Sequence, residues 1–277
     1  MLTWAVGRID ACASVAYLPE SPFRPAALVF AIISDIHGNL EALTAVLEEI
    51  DRRGVQHILC LGDIVGYGPN PSECLDLIAK RARAALMGNH DFAVLFEPFN
   101  FNQGAEQACF WTRRQFEADA DVQRRAERWK FIGNLPVRVR TPEFVAVHAS
   151  PRRPINEYIF PDDIYTNPGK FHSIFEKFDR VCFVGHTHVP GVFLEGPDFY
   201  SPDELEYKFE LSDEKAVINV GSVGQPRDRD PRASFVLVHE NKIEFVRLEY
   251  DVETTVKKVY AIPELDNFLG DRLKDGR

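Results

Sequence analysis

From Ala27 onward, short β-rich apolar runs alternate with stretches of helical periodicity, and run after run stops at a cluster of Gly, Asp, Asn or His. A chain patterned this way folds as layered α/β architecture, its polar clusters carried out to the ends of buried strands. Leu28–Ser34 reads as a buried strand and Asn39–Arg53 as an amphipathic helix closed by Gly54. His57–Leu61 is a second strand, Ser72–Arg83 a helix capped by Ser72, and Ala84–Met87 a third strand. Residues 92–135 read as a helical insertion whose aromatics (Phe110, Trp111, Phe116, Trp129, Phe131) pack inward and whose arginines form a solvated face. Beyond Pro136 strands dominate: 137–140, 144–148, 181–185, 191–194, 206–211, 216–220, 234–239 and 242–248. Two β-rich halves with helices between and outside them predict an α/β fold, a four-layer α/β/β/α sandwich of two mixed sheets, in a single domain over 27–277. Residues 1–26, Pro-rich at their end and without clear periodicity, are assigned as a peripheral extension or an upstream over-reading of the start.

Composition narrows the function. A net charge of −10 over 277 residues argues against a protein built to grip nucleic acid, which needs a basic face. The apolar run 26–33 is far too short to span a membrane, and Arg8 and Asp10 interrupt any secretory leader. Five scattered cysteines (Cys12, Cys60, Cys74, Cys109, Cys182) make neither a disulfide framework nor a thiolate metal site, so reduced thiols in a cytoplasmic protein are expected.

The chemistry sits at the run ends. In Ser34-Asp35-Ile36-His37-Gly38-Asn39 an extended backbone would point Asp35 and His37 the same way, toward one cation. Gly62-Asp63 follows the second strand; Gly88-Asn89-His90-Asp91 offers an amide, an imidazole and a carboxylate in one turn; His148 ends another apolar run. Gly185-His186-Thr187-His188 presents two imidazoles at a spacing suited to one metal or to two neighbouring metals. Each is by itself an ordinary polar turn, but together they deliver carboxylates, an amide and imidazoles in order at successive strand ends.

The order Asp-x-His, Gly-Asp, Gly-Asn-His-Asp, His, Gly-His-x-His resembles the calcineurin-like metallophosphoesterase superfamily over residues 28 to about 250. The stretches SDIHGNLEAL (34–43), GDIVGYGPNP (62–71) and NVGSVGQPRD (219–228) are similar to its compact prokaryotic, diadenosine-tetraphosphatase-like branch. The resemblance implies that Asp35, His37 and His188 bind one divalent ion and Asn89, His148 and His186 a second, with Asp63 bridging. His90 would be a catalytic, non-ligand histidine. Oxygen and imidazole donors suit Mn, Fe, Zn or similar ions, and two such ions can activate a bridging hydroxide and clamp a phosphoryl group. Against the charges of Asp35, Asp63 and that hydroxide the filled site stays positive, so an acidic protein can still attract a phosphate ester. Candidate substrate contacts are Asn89, His90, Tyr67, Arg227 and Arg232. The expected activity is hydrolysis of a small phosphodiester or dinucleoside polyphosphate, with no membrane or nucleic-acid partner. The alternatives are a protein phosphatase and a non-catalytic scaffold of the same fold, one holding a phospho-ligand through Arg152 and Arg153.

Overall fold

The computed structural model describes residues 15–17 and 29–277. Apart from a strand at Val15–Tyr17, the expectations for residues 1–26, Cys12 included, lie outside the described residues. The strands are β1 (Val15–Tyr17), β2 (Phe30–Ile33), β3 (His57–Cys60), β4 (Ala84–Ala85), β5 (Arg138–Arg140), β6 (Phe144–Val147), β7 (Val181–Val184), β8 (Gly191–Leu194), β9 (Phe199–Tyr200), β10 (Lys208–Glu210), β11 (Ala216–Asn219), β12 (Ala233–Val238) and β13 (Lys242–Leu248). The helices are α1 (Leu40–Arg52), α2 (Pro71–Arg81), α3 (Asn89–Leu95), α4 (Gln103–Glu117), α5 (Val122–Gly133), α6 (Asp163–Thr166), α7 (Pro168–Phe175), α8 (Val252–Tyr260) and α9 (Phe268–Asp275).

Two mixed sheets form, in the orders β1-β5-β6-β7-β11-β8-β9 and β10-β13-β12-β2-β3-β4. Alternation along β2 shows how they stack. Phe30 and Ile32 face the other sheet and meet Phe144, Phe183 and Ile218, while Ala31 and Ile33 face outward onto Leu43, Val46 and Ile50 of α1. On the far side, Val145, Cys182 and Val217 pack against Phe171, Ile174 and Phe175 of α7. The result is the expected α/β/β/α sandwich, in which β2, β6 and β7 are apolar and buried on both faces and the polar clusters lie just beyond their ends.

The sheets are not divided between the chain's halves. β12 pairs with β2 antiparallel (Val236 beside Ile32), which returns the end of the chain to the sheet of β2, β3 and β4. α2 starts at Pro71 rather than Ser72: Pro occupies the first helical turn, where its missing N–H costs nothing, and Asn70 stands at the cap. α1 ends at Arg52 and Gly54 follows it with φ +72°, as expected of a glycine beyond a helix end. In the insertion, Trp111 and Phe116 are buried as expected, but Arg113 departs from a solvated role, donating to the carbonyls of Val94 and Ala93. Arg128 is buried and pairs with Asp76 of α2 and with Asp119, tying the insertion to the sandwich. Among the described residues no helix is long and apolar enough to cross a membrane.

Candidate metal centre

Parallel pairing sets β2, β3 and β4 running the same way, and β6, β7 and β11 likewise, so their carboxyl ends carry the polar turns toward one edge of the sandwich. The turns themselves are not the extended exits read from the sequence. Asp35, His37, Asp63, Tyr67, His186 and His188 all have positive φ, between 50° and 66°. A side chain in this left-handed region costs about 1–3 kcal/mol, so the fold holds these six residues against their own preference. Asp35 and His37 therefore converge through tight left-handed turns, not through strand alternation. Gly66 and Gly185 show how closely the turns approach: a Cβ on the first would collide with the His90 ring, and on the second with Ser34 and the Asp35 carboxylate.

Three groups of donors each bring their ligand atoms within 4.8 Å of one another: Asp35, His37 and His188; His37, Asp63 and His90; Asp63, His148 and His186. All are buried. His37 Nδ1 lies 3.3 Å from the Val65 carbonyl, His148 Nδ1 3.2 Å from that of Leu61, and His188 Nδ1 2.5 Å from that of Gln225. A carbonyl can only accept, so it assigns the ring proton to Nδ1 and leaves Nε2 as a lone pair aimed into the cluster. Two such lone pairs, His37 Nε2 and His188 Nε2, then face each other at 3.1 Å. His148 Nε2 faces His186 Nδ1 at 3.2 Å, with Asp63 Oδ2 at 3.4 Å and the Asn89 amide oxygen at 3.1 Å. Opposed lone pairs at this distance repel unless a cation lies among them. Among the described residues Asp35 Oδ1 has no hydrogen-bond partner, although it is fully buried. These donors fit divalent ions, and they fit two, because His186 and His188 belong to different groups.

The electrostatics agree. Burial pushes His37 well below its ordinary pKa, His90 to about 4 and His186 to about 3, leaving imidazoles ready to ligate. Burial opposes ionisation of Asp35 and Asp63, yet the neighbouring histidines carry both carboxyls below their usual range. Burial disfavours a proton on His148 too, but Asp63 lifts that histidine to about 9: the same charge that would hold a proton there attracts a metal ion instead. Asp91, named in the sequence only as part of a turn, is structural. Its carboxylate accepts from the N–H groups of Ile64, Val65 and Gly88 and so locks the Asp63 loop to the Asn89 turn.

Of the expected substrate contacts, Asn89, His90 and Tyr67 line one cleft with His186. Tyr67 lies 4.8 Å from the His37 ring and 4.3 Å from the His90 ring. Arg227 reaches the same place, with its guanidinium 5.7 Å from the Tyr67 centroid and its backbone N–H bonded to the His188 carbonyl. Arg232 does not: its guanidinium is taken up by Asp230, and no contact joins it to the histidines. Arg152 is likewise paired with Glu157, whereas Arg153 lines the cleft. A residue the sequence did not single out is Arg272 of α9. Burial, and then the charge of Arg227, hold it down to about 10, and no carboxylate side chain pairs with it among the described residues. Nothing in the local sequence announces this, because α9 comes beside Tyr67 through the fold, Leu269 sharing its apolar cluster and Arg272 its electrostatic surroundings.

The four cysteines described are buried and free, as expected. An uncharacterized protein of Methanocaldococcus jannaschii is 40% identical over 258 residues, covering 90% of this chain and 98% of its own length. The crystal structure of a metallophosphoesterase from Sphaerobacter thermophilus superposes with a TM-score of 0.74 at 36% identity, covering 91% of this chain and 100% of that one. A hypothetical protein from Pyrococcus horikoshii OT3 shares the fold, with a TM-score of 0.69 at 20% identity, over 90% of this chain and 99% of its own. The calcineurin-like phosphoesterase model matches residues 28–190, the span that runs from β2 to just past His188 and takes in every donor of the three groups. With that match and a likeness that runs nearly end to end, the chain belongs to the calcineurin-like phosphoesterase family, hydrolases that act on phosphate esters.

Proposed function

We propose that this chain is a dinuclear-metal hydrolase of small phosphodiesters or dinucleoside polyphosphates. Asp35, His37 and His188 would hold one ion and Asn89, His148 and His186 the other, with Asp63 available to both. The observation that carries this reading is the opposed imidazole contact of His37 with His188, whose two Nε2 atoms are both left as lone pairs by carbonyls on Nδ1 and lie beside the buried Asp35 carboxylate. When bound, two divalent ions supply an activated water and Lewis-acid stabilisation of the phosphoryl oxygens.

The chain's own residues do the rest. Hydrolysis adds water across a P–O bond, and negative charge grows on the departing oxygen as that bond breaks. His90 is placed for this charge: its backbone N–H is fixed on Asp63 Oδ1 at 2.7 Å, and its ring is wedged between Tyr67 and Phe101, so a ring N–H can be held toward the leaving oxygen. Arg227, stacked over Tyr67, orients a phosphate oxygen from the other side.

The test is metal content together with hydrolysis of p-nitrophenyl phosphate and bis(p-nitrophenyl) phosphate in Mn, Fe, Zn and Mg, with Asp63→Ala as control. Two ions per chain and metal-dependent turnover favouring the diester are expected. Turnover that survives Asp63→Ala, or a chain that takes up no metal, overturns the assignment.

A further inference from the structure

Beside the metal centre lies a cleft of about 500 Å³, between the α3–α4 connection and the segment 153–158. Its walls are aromatic in a way that packing does not explain. Phe99 is 80% exposed and Tyr158 44% exposed, and neither joins a hydrophobic cluster of the core. Tyr158 stacks on the His186 ring at 4.1 Å and 25°, and Phe160 stacks behind it at 5.3 Å and 6°, which fixes the tyrosine face at the edge of the metal centre. Leaving such rings in water costs hydrophobic free energy, so inside a concavity they imply a flat apolar guest.

The polar groups of the cleft narrow the guest further. The side-chain amides of Asn100 and Asn156 line it and, among the described residues, make no hydrogen bond, and Arg153 lines it with no acidic partner among those residues. Asn100 is held at φ +62° on the Phe99 segment, a conformation asparagine tolerates. An amide offers donors and an acceptor together, the complement of a heterocycle edge rather than of a bare phenyl ring. His90 and Asn89 share the same lining, so a group seated in the cleft lies next to the metal centre.

We propose that this cleft receives the nucleoside of a nucleotide-type phosphate ester, with Phe99 and Tyr158 as the faces on which its base stacks and Asn100 and Asn156 as the groups that meet its edge. The assignment rests on the phosphodiester reading given above and adds where substrate selection takes place.

Binding is tested apart from turnover, by saturation-transfer NMR on the zinc-loaded protein with adenosine, ribose and phenol, none of which can be hydrolysed. Adenosine is expected to bind about tenfold or more tighter than ribose, and Phe99→Ala to weaken adenosine by at least about fivefold, the range of one base stack. Tyr165→Ala, which removes an exposed aromatic of α6 outside the cleft, leaves that preference unchanged. Equal binding of adenosine and ribose overturns the proposal. So does phenol binding as tightly as adenosine, which assigns the cleft to simple aryl esters, or adenosine binding that Phe99→Ala does not touch. Loss of bis(p-nitrophenyl) phosphate turnover with adenosine binding intact would fail the metal-centre reading alone.

Discussion

The floor of the cleft and its wall are built on opposite principles. On the floor, Asp35, His37, Asp63, His148, His186 and His188 are buried, and three of the histidines are tied through Nδ1 to backbone carbonyls. Five of the six, all but His148, stand in left-handed backbone. The wall is made of exposed side chains, Phe99, Tyr158 and Asn156, on connecting segments that contribute little to the core. The floor spends stability to hold charge and lone pairs in opposition; the wall's exposed Phe99 can change without disturbing them, whereas Tyr158 touches the floor through its stack on His186. On the proposed reading, chemistry belongs to the first region and selectivity to the second.

The largest effect that would break this division is at Asp63. Loss of a mere outer-shell partner costs about 10–100-fold in metal affinity or activity, so Asp63→Asn, which alters a group shared by two donor sets, should lower kcat/KM by more than about 100-fold. Metal analysis should show ion lost with it. A variant with full metal and ordinary kcat/KM would show that the floor is not the reacting region.

Metal removal probes the same region through stability. If ions bind only the folded chain, saturation at about 1,000 times Kd stabilises it by about 4 kcal/mol, and at about 2–4 °C per kcal/mol chelation should lower Tm by roughly 8–16 °C. Phe99→Ala should leave Tm within about 2 °C, since an exposed side chain outside the core carries about 0.5 kcal/mol or less. Calorimetric scans with and without chelator compare the two regions on one scale. An unchanged Tm on chelation would mean that the opposed imidazoles need no cation.

The support beneath the wall can be cut separately. Phe116 of α4 is fully buried and meets Trp129 of α5 edge-on at 5.4 Å. Phe116→Ala should cost about 3–5 kcal/mol in urea unfolding, while the metal content of the folded protein stays that of the wild type. Metal loss in step with destabilisation would join the insertion to the floor as one unit.

This division also explains what could be read from the chain. The donors were legible because metal chemistry tolerates few residue types and because Asp35, Asp63, Asn89, His148 and His188 all stand just beyond apolar runs. Their convergence was not legible from spacing. The extended i, i+2 argument brings Asp35 and His37 together, and the structure also brings them together but by another geometry, since the turns are left-handed and the partner strands come from far along the chain. The sandwich was legible from periodicity, but the return of β12 and β13 to the sheet of β2, β3 and β4 was not, because strand order depends on long-range pairing. Arg232 resembles Arg227 in sequence, but its guanidinium pairs with Asp230 whereas that of Arg227 lies over Tyr67. Arg272, Phe99 and Tyr158 carried no local signal: an exposed aromatic or a helical arginine is ordinary until its neighbours are known.

A surface ion-pair group on α1 supplies the baseline against which the floor's electrostatics stand out. Glu49 is held down to about 2, chiefly by hydrogen bonds from Arg52 and then Arg53, the latter also reaching Glu244 on β13. A carboxyl whose folded pKa is depressed adds stability that is fully present above its unfolded value, about 4.3, and is lost as pH falls toward 2. Glu49→Gln should therefore lower stability near neutral pH and flatten its decline between roughly pH 5 and 2. Solvent screens these pairs, so the difference should be about 0.5 kcal/mol and should shrink in high salt. Urea unfolding at pH 7 and pH 3, with and without salt, reads both. A salt-insensitive loss of several kcal/mol would place Glu49 with the buried charges of the floor, and the contrast between a preorganised centre and an ordinarily solvated surface would have to be drawn elsewhere.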